Sequence, residues 1–151
     1  MRLLCIDPGA KGAFAFKDDQ GRVWCEEMPS SPKDISDRIF EFMSQSCYAP
    51  ATCGCFAYLE KPTGYVPGNS GSAAVKFATN VAYLEMALLA HGVPHETVRP
   101  QTWQKRYSLP KDKMDRKRAL KALAQARFPY IKCTLINSDA LMILDSMTKT
   151  S

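Results

Sequence analysis

Three carboxylates stand where a carboxylate is costly to place. Asp7 ends the apolar run Leu3-Leu4-Cys5-Ile6, and Glu60 ends a second run, Cys55-Phe56-Ala57-Tyr58-Leu59. Asp139 opens a third apolar stretch, Ala140-Leu141-Met142-Ile143-Leu144. A charge at the mouth of a core element must be paired. Carboxylates gathered at one point repel until a cation sits among them, and oxygen-only ligands suit Mg²⁺ or Mn²⁺. Two such ions about 4 Å apart can activate a water and stabilise the leaving oxygen of a phosphodiester. Metal-dependent phosphodiester cleavage is therefore one reading of the three acids. Two of them also have a plainer one: Asp7 can cap the Pro8-Gly9 turn, and Asp139 suits the positive end of a helix.

The charge distribution points to a polyanion. The 151 residues carry a formal net charge of +5. Residues 99–132 alone hold eleven Lys/Arg against two Asp/Glu, whereas the remainder holds nine against thirteen. A cationic block on a slightly acidic chain is a footprint for phosphate.

The elements that must carry the acids can be read in order. Residues 3–7 form a buried strand. Gly9 and Gly12 let the chain double back and keep bulk away from Asp7, and 12–17 form the neighbouring strand. After the turn at Asp18-Asp19-Gln20-Gly21, residues 22–28 form an edge strand, completing an antiparallel meander. Residues 34–45 read as an amphipathic helix with Ile35, Ile39, Phe40, Phe42 and Met43 inward, capped by Ser30 or Ser31. This helix is the crossover that a parallel partner strand at 55–60 requires. Two parallel strands that each end in an acid at one edge bring Asp7 and Glu60 together.

A loop at 63–71 leads into a long helix at 72–91. That helix is apolar on more than one side, one for the sheet and one for a second subunit. Gly92 ends it, and 95–98 form a short strand. A helical turn follows at 101–105, with Trp103 as a packing anchor rather than a stacking residue. A basic helix runs from 114 to 127, with Met114, Leu120, Leu123 and Ala124 near its inner face. The last helix, 139–147, is capped by Asn137 or Ser138. His91 and His95 read as surface or turn residues, and Met86, Met142 and Met147 as core filler.

Composition narrows the classes further. A hydrophobic content of 46% and a charged content of 23% describe ordinary globular material, expected to form one domain over 1–151. No uninterrupted apolar run approaches the roughly 18 residues of a membrane span. Cys5, Cys25, Cys47, Cys53, Cys55 and Cys133 form no CxxC pair and no zinc-site spacing. They read as reduced thiols, and with no leader segment the expectation is a cytoplasmic, reducing compartment. An actin-like or sugar-kinase ATPase also places an Asp-x-Gly turn between strands, but it needs two such domains, which 151 residues cannot hold.

With these parts in place, the chain resembles the RuvC-type Holliday-junction resolvases, most of all their compact phage-like and bacterial members. The matching segments are IDPGAKGA at 6–13, YLEKP at 58–62, PGNSGSA at 67–73, AHGVP at 90–94, VRPQTWQK at 98–105, KDKMDRKRAL at 111–120, ARFP at 126–129 and SDALMI at 138–143. They follow the family's order and span nearly the whole chain. The resemblance implies an α/β, ribonuclease H-like fold: a mixed five-stranded sheet, antiparallel meander plus parallel strands, flanked by helices. It implies a metal-dependent endodeoxyribonuclease that resolves four-way DNA junctions by paired symmetric nicks. Asp7, Glu60 and Asp139 become ligands of Mg²⁺ or Mn²⁺, two ions per site, and Lys113 becomes a catalytic cation. Tyr65 would stack on a splayed base. Asn69, Ser70, Lys105, Lys111, Lys113, Arg116 and Lys117 would contact DNA, and a homodimer would form through helix 72–91. One position departs from the pattern: the family usually carries a further aspartate where this chain has Ile136. Asn137 or Ser138 could offer a neutral oxygen there, whereas Asp145 lies on another face of the helix. The departure motivates an alternative, a weakly catalytic or non-catalytic binder of branched DNA.

Overall fold

The computed structural model describes residues 1–44, 54–61 and 70–149. Its elements, in chain order, are β1 (Arg2–Asp7), β2 (Ala13–Lys17), β3 (Val23–Glu27), α1 (Pro32–Ser44), β4 (Cys55–Glu60), α2 (Gly71–Ala90), β5 (His95–Val98), α3 (Pro100–Gln104), α4 (Lys113–Arg127) and α5 (Ser138–Thr148). The five strands form one mixed sheet in the order β3-β2-β1-β4-β5. β1 pairs antiparallel with β2, and β2 with β3. β4 runs parallel to β1, and β5 parallel to β4.

Strand alternation sorts the side chains into two cores. Leu4 and Ile6 of β1 and Ala57 and Leu59 of β4 face α1 and α2, joining Ile35, Ile39, Phe42, Leu84 and Leu88. Leu3 and Cys5 face the other way, toward Trp103, Leu120, Ala124 and the run from Ala140 to Leu144. Phe56 and Tyr58 of β4 pack on this second side. A period of two then puts Asp7 and Glu60 on the second side as well.

The turn after β1 is sterically specified. A Cβ at Gly12 would lie 2.0 Å from the carbonyl oxygen of Asp7, so no other residue fits. Gly9 has φ +108° and sits under the Phe77 ring of α2, and its N–H donates to Asn80 Oδ1 at 2.7 Å.

Local chemistry moves several boundaries from their expected places. α1 begins at Pro32 because proline suits the first helical position, and Ser31 Oγ accepts from the Asp34 N–H at 3.0 Å. Ser70 caps α2, accepting from the Ala73 N–H. Asn137 precedes α5 but makes no capping bond; its carboxamide instead holds the Thr134 N–H at 2.8 Å and donates to the Lys132 carbonyl.

Three expected core residues lie outside. Met86 is 64% exposed because α2 turns only Val81, Leu84, Ala87 and Leu88 to the sheet. Phe40 is exposed and packs on the His91 ring, whose Nε2 lies 2.8 Å from Ser36 Oγ. Met114 is exposed in the first turn of α4, before the helix meets the core at Leu120. Met142 is fully buried as expected. Although Lys76 and Glu85 interrupt its apolar run, α2 is by length and composition alone long and apolar enough to cross a membrane.

Replacing Gly12 by alanine forces the added methyl into the Asp7 carbonyl. Such overpacking should lower the unfolding free energy by about 2–3 kcal/mol, measurable by denaturant titration.

Candidate active site

The ladder sets the first two acids side by side. Ile6 pairs with Leu59, and Asp7 and Glu60 are the next residue on each parallel strand. Their carboxyl groups are hydrogen-bonded to each other. Asp139, in the first turn of α5, faces the pair closely enough for its charge to act on both. Lys117 reaches in from α4, its Nζ 3.4 Å from Asp139 Oδ2. Trp103 Nε1–H donates to Glu60 Oε1 at 2.9 Å.

The electrostatics follow from burial. Loss of water raises the Asp7 carboxyl well above its ordinary range, and the negative charges of Glu60 and Asp139 add to the rise. Burial also raises Glu60, against the hydrogen bonds from Trp103 and Asp7 that favour its charged form. Asp139 is raised by burial and lowered by Lys117 and Arg116. Both carboxyls are thus held above their ordinary range, Asp7 the further of the two. Asp139 Oδ1 is buried with no hydrogen-bond partner among the described residues.

An unpartnered buried oxygen, two carboxyls in contact and an all-oxygen donor set are what a hard divalent cation would relieve. The residues fit Mg²⁺ or Mn²⁺. Asp7 and Glu60 are in contact while Asp139 stands off beside Lys117, so among the described residues no three His, Cys, Asp or Glu side chains are drawn into a closed ligand set.

The other expected site residues fall into two groups. Lys113 and Lys117 are one turn apart on α4, on the same face, and it is Lys117 that contacts Asp139 while Lys113 is exposed. Arg116 Nη1 donates to the Lys111 carbonyl, Lys105 and Lys111 are exposed, and the Ser70 hydroxyl is engaged as a cap. Tyr65 and Asn69 lie outside the described residues, as do Cys47 and Cys53. Cys5, Cys25, Cys55 and Cys133 are unbonded thiols. Ser138 donates to the Thr134 carbonyl, so both neighbours offered for the missing acid at 136 are engaged with the loop at 132–134. Asp145 is held well along α5 by Tyr107 and Lys149, as the helical angle requires.

The Trp103–Glu60 bond is absent from the sequence reading, yet it had a signal. A buried indole N–H needs an acceptor, and β5 brings α3 to the end of β4 where Glu60 is the polar group at hand. The Asn80 contact to Gly9 had none, since one polar residue on a long helix does not name its partner.

Strand order, mixed pairing and a carboxylate cluster at one sheet edge define a ribonuclease H-like architecture. Solved structures similar to it in fold include two of RuvC. Thermus thermophilus RuvC in complex with a Holliday junction substrate aligns with a TM-score of 0.63 at 16% identity, covering 98% of this chain and 93% of that one. A second Thermus thermophilus RuvC structure aligns at 0.62 and 14% over the same shares. No protein-family model matches the sequence, and no curated protein matches it either. The chain has the RuvC fold.

The raised carboxyls predict a pH signature without metal. A carboxyl whose folded value exceeds its unfolded value stabilises the fold at low pH, and that contribution is lost as pH rises through the folded value. Asp7→Asn removes one repelled charge, so its Tm should exceed that of the unaltered chain by a margin that grows from pH 5 to pH 8 in EDTA. Added Mn²⁺ should raise the Tm of the unaltered chain more at pH 8 than at pH 5, and that of Asp7→Asn much less. Thermal scans across that pH range check both.

Proposed function

We propose that this protein is a metal-dependent endodeoxyribonuclease that resolves four-way DNA junctions. The observation that carries the reading is the convergence of Asp7, Glu60 and Asp139 on one face at the end of two parallel strands, beside a lysine of the cationic helix. Asp7, Glu60 and Asp139 would hold Mg²⁺ or Mn²⁺, two ions per site, which supply water activation and stabilisation of the leaving oxygen. The chain's own residues do the rest. Lys117, in contact with Asp139, and Arg116, whose charge reaches it, would offer charge to the phosphate being cut. Lys113, one turn earlier, and Lys105 and Lys111 reach flanking phosphates. Tyr65 would stack on an opened base at the branch, and Asn69 would contact the DNA.

A dimer through α2 completes the reading. Val75, Met86 and Leu89 are each about two-thirds exposed, and Tyr83 is 41% exposed, so α2 carries an apolar face that the sheet does not use. A two-fold pair would present two sites to opposed strands. Unbonded thiols and a nucleic acid substrate suit a reducing intracellular compartment.

A second reading rests on Ile136. With Asn137 and Ser138 engaged elsewhere, the site has three acids, and a protein of this fold with too little charge for a second ion would bind junctions without cutting them.

A four-way junction and a linear duplex of the same sequence, each with Mg²⁺, Mn²⁺ or EDTA, separate these readings. The nuclease reading expects paired symmetric nicks on the junction alone, dependent on metal. Asp7→Asn should abolish cutting and leave junction binding intact; tight binding by the unaltered chain with no cutting in either metal selects the binder. Met86→Asp with Leu89→Asp should convert the dimer to monomer by sedimentation and turn paired nicks into single ones. Affinity should fall steeply with salt, and Lys113→Ala should lower the slope of log K against log salt by about one unit.

A further inference from the structure

We propose that Trp103 is a positioning residue for the carboxylate cluster: its indole N–H holds one oxygen of Glu60 and so fixes how Glu60 meets Asp7 and a bound cation. The inference rests on the reading of the cluster as a cation site.

A glutamate at the end of a strand has three side-chain torsions and would swing if left to itself. Glu60 is anchored instead, with Oε1 2.9 Å from the Trp103 indole nitrogen. A hydrogen bond from a buried donor to a carboxylate is strong and directional. The donor cannot follow a wandering acceptor, because Trp103 is 0% exposed and enclosed by the core that holds Leu120 and Ala140.

The anchor extends to the third acid. Four residues on, the Tyr107 ring meets the Trp103 ring edge-on at 6.5 Å. The Tyr107 hydroxyl lies 2.8 Å from Asp145 Oδ2 and 3.2 Å from the Met142 carbonyl, both on α5. Arg106 adds a bond to the Ser146 carbonyl at 3.1 Å. α5 is the helix that begins with Asp139. At its other end α3 is tied to β4, since Lys61 N–H donates to the Val98 carbonyl at 2.7 Å just before α3 starts. Residues 98–107 thus form a strut between the strand bearing Glu60 and the helix bearing Asp139, with Trp103 as its contact to the cluster. Partners that orient ligand side chains commonly matter by 10- to 100-fold in metal affinity.

The chain has two tryptophans, and Trp24 stacks on Phe16 on the opposite side of the sheet, so the two indole N–H resonances report different places. In ¹⁵N-labelled full-length protein without DNA, Mg²⁺ titration should move the Trp103 indole cross-peak and leave that of Trp24 in place. Trp103→Phe keeps an aromatic ring and removes the donor. It should weaken Mn²⁺ binding by roughly 10- to 100-fold in calorimetry and lower kcat on the junction at unchanged KM. A Trp103 cross-peak that stays put while calorimetry records metal uptake, or a Trp103→Phe variant that binds Mn²⁺ like the unaltered chain, overturns the proposal and leaves the nuclease reading standing. No uptake of either metal by the unaltered chain overturns both. Should Trp103→Phe fail to fold, the cross-peak of the unaltered chain decides.

Discussion

Two carboxylates pressed together at a partly buried sheet edge are the constraint around which this chain is arranged. The parallel ladder leaves no choice: once Ile6 pairs with Leu59, Asp7 and Glu60 must be neighbours. In water such a pair would separate. Here the strands are held by core residues on both faces, so burial first, and for Asp7 the neighbouring charges as well, raise the carboxyls above their ordinary range. The surrounding contacts then read as supports for an unfavourable arrangement. Gly12 lets the chain leave Asp7 without collision, Asn80 and Phe77 hold the turn from α2, and Lys117 partly neutralises the third acid.

Much of this was legible because strand periodicity carries long-range information. An apolar run ending in an acid, repeated with a crossover helix between, defined β1 and β4 and the meeting of Asp7 and Glu60; the bounds of β4 and β5 emerge as expected. Asp139 was legible as the first-turn acid of an apolar helix, a position that fits the site and the dipole equally. Where the reading failed, a local pattern had more than one tertiary use. Met86, Phe40 and Met114 are apolar at helical spacing, but only contact with the sheet decides which stripe is inside. Asn137 had a cap's residue type and position, and its amide went instead to the preceding loop, where unpaired backbone groups competed for it.

α2 connects features that are separate in sequence. Its first turn is capped by Ser70. Asn80, near its middle, bonds the Gly9 amide two residues beyond Asp7. Its outer face is the apolar surface of Met86 and Leu89. One helix of 20 residues thus touches the turn of the site and exposes an apolar face.

The Lys117–Asp139 contact suggests why three acids suffice for the arrangement to persist. At 3.4 Å the pair joins a lysine 35% exposed to an aspartate only 14% exposed, so the carboxylate has little water to take the lysine's place. Its effect is on charge balance, since it offsets part of the field that Asp7 and Glu60 must bear. A fourth aspartate at 136 would deepen that field and demand a further cation; isoleucine leaves it smaller. Were a phosphate to take the lysine, the largely buried Asp139 would need another cation in its place. On the nuclease reading, the DNA backbone arriving along α4 would draw Lys117 away and leave Asp139 with two uncommitted oxygens at the moment a cation is needed. Substrate and metal would then favour each other's binding through one side chain, with no change in the backbone of either helix.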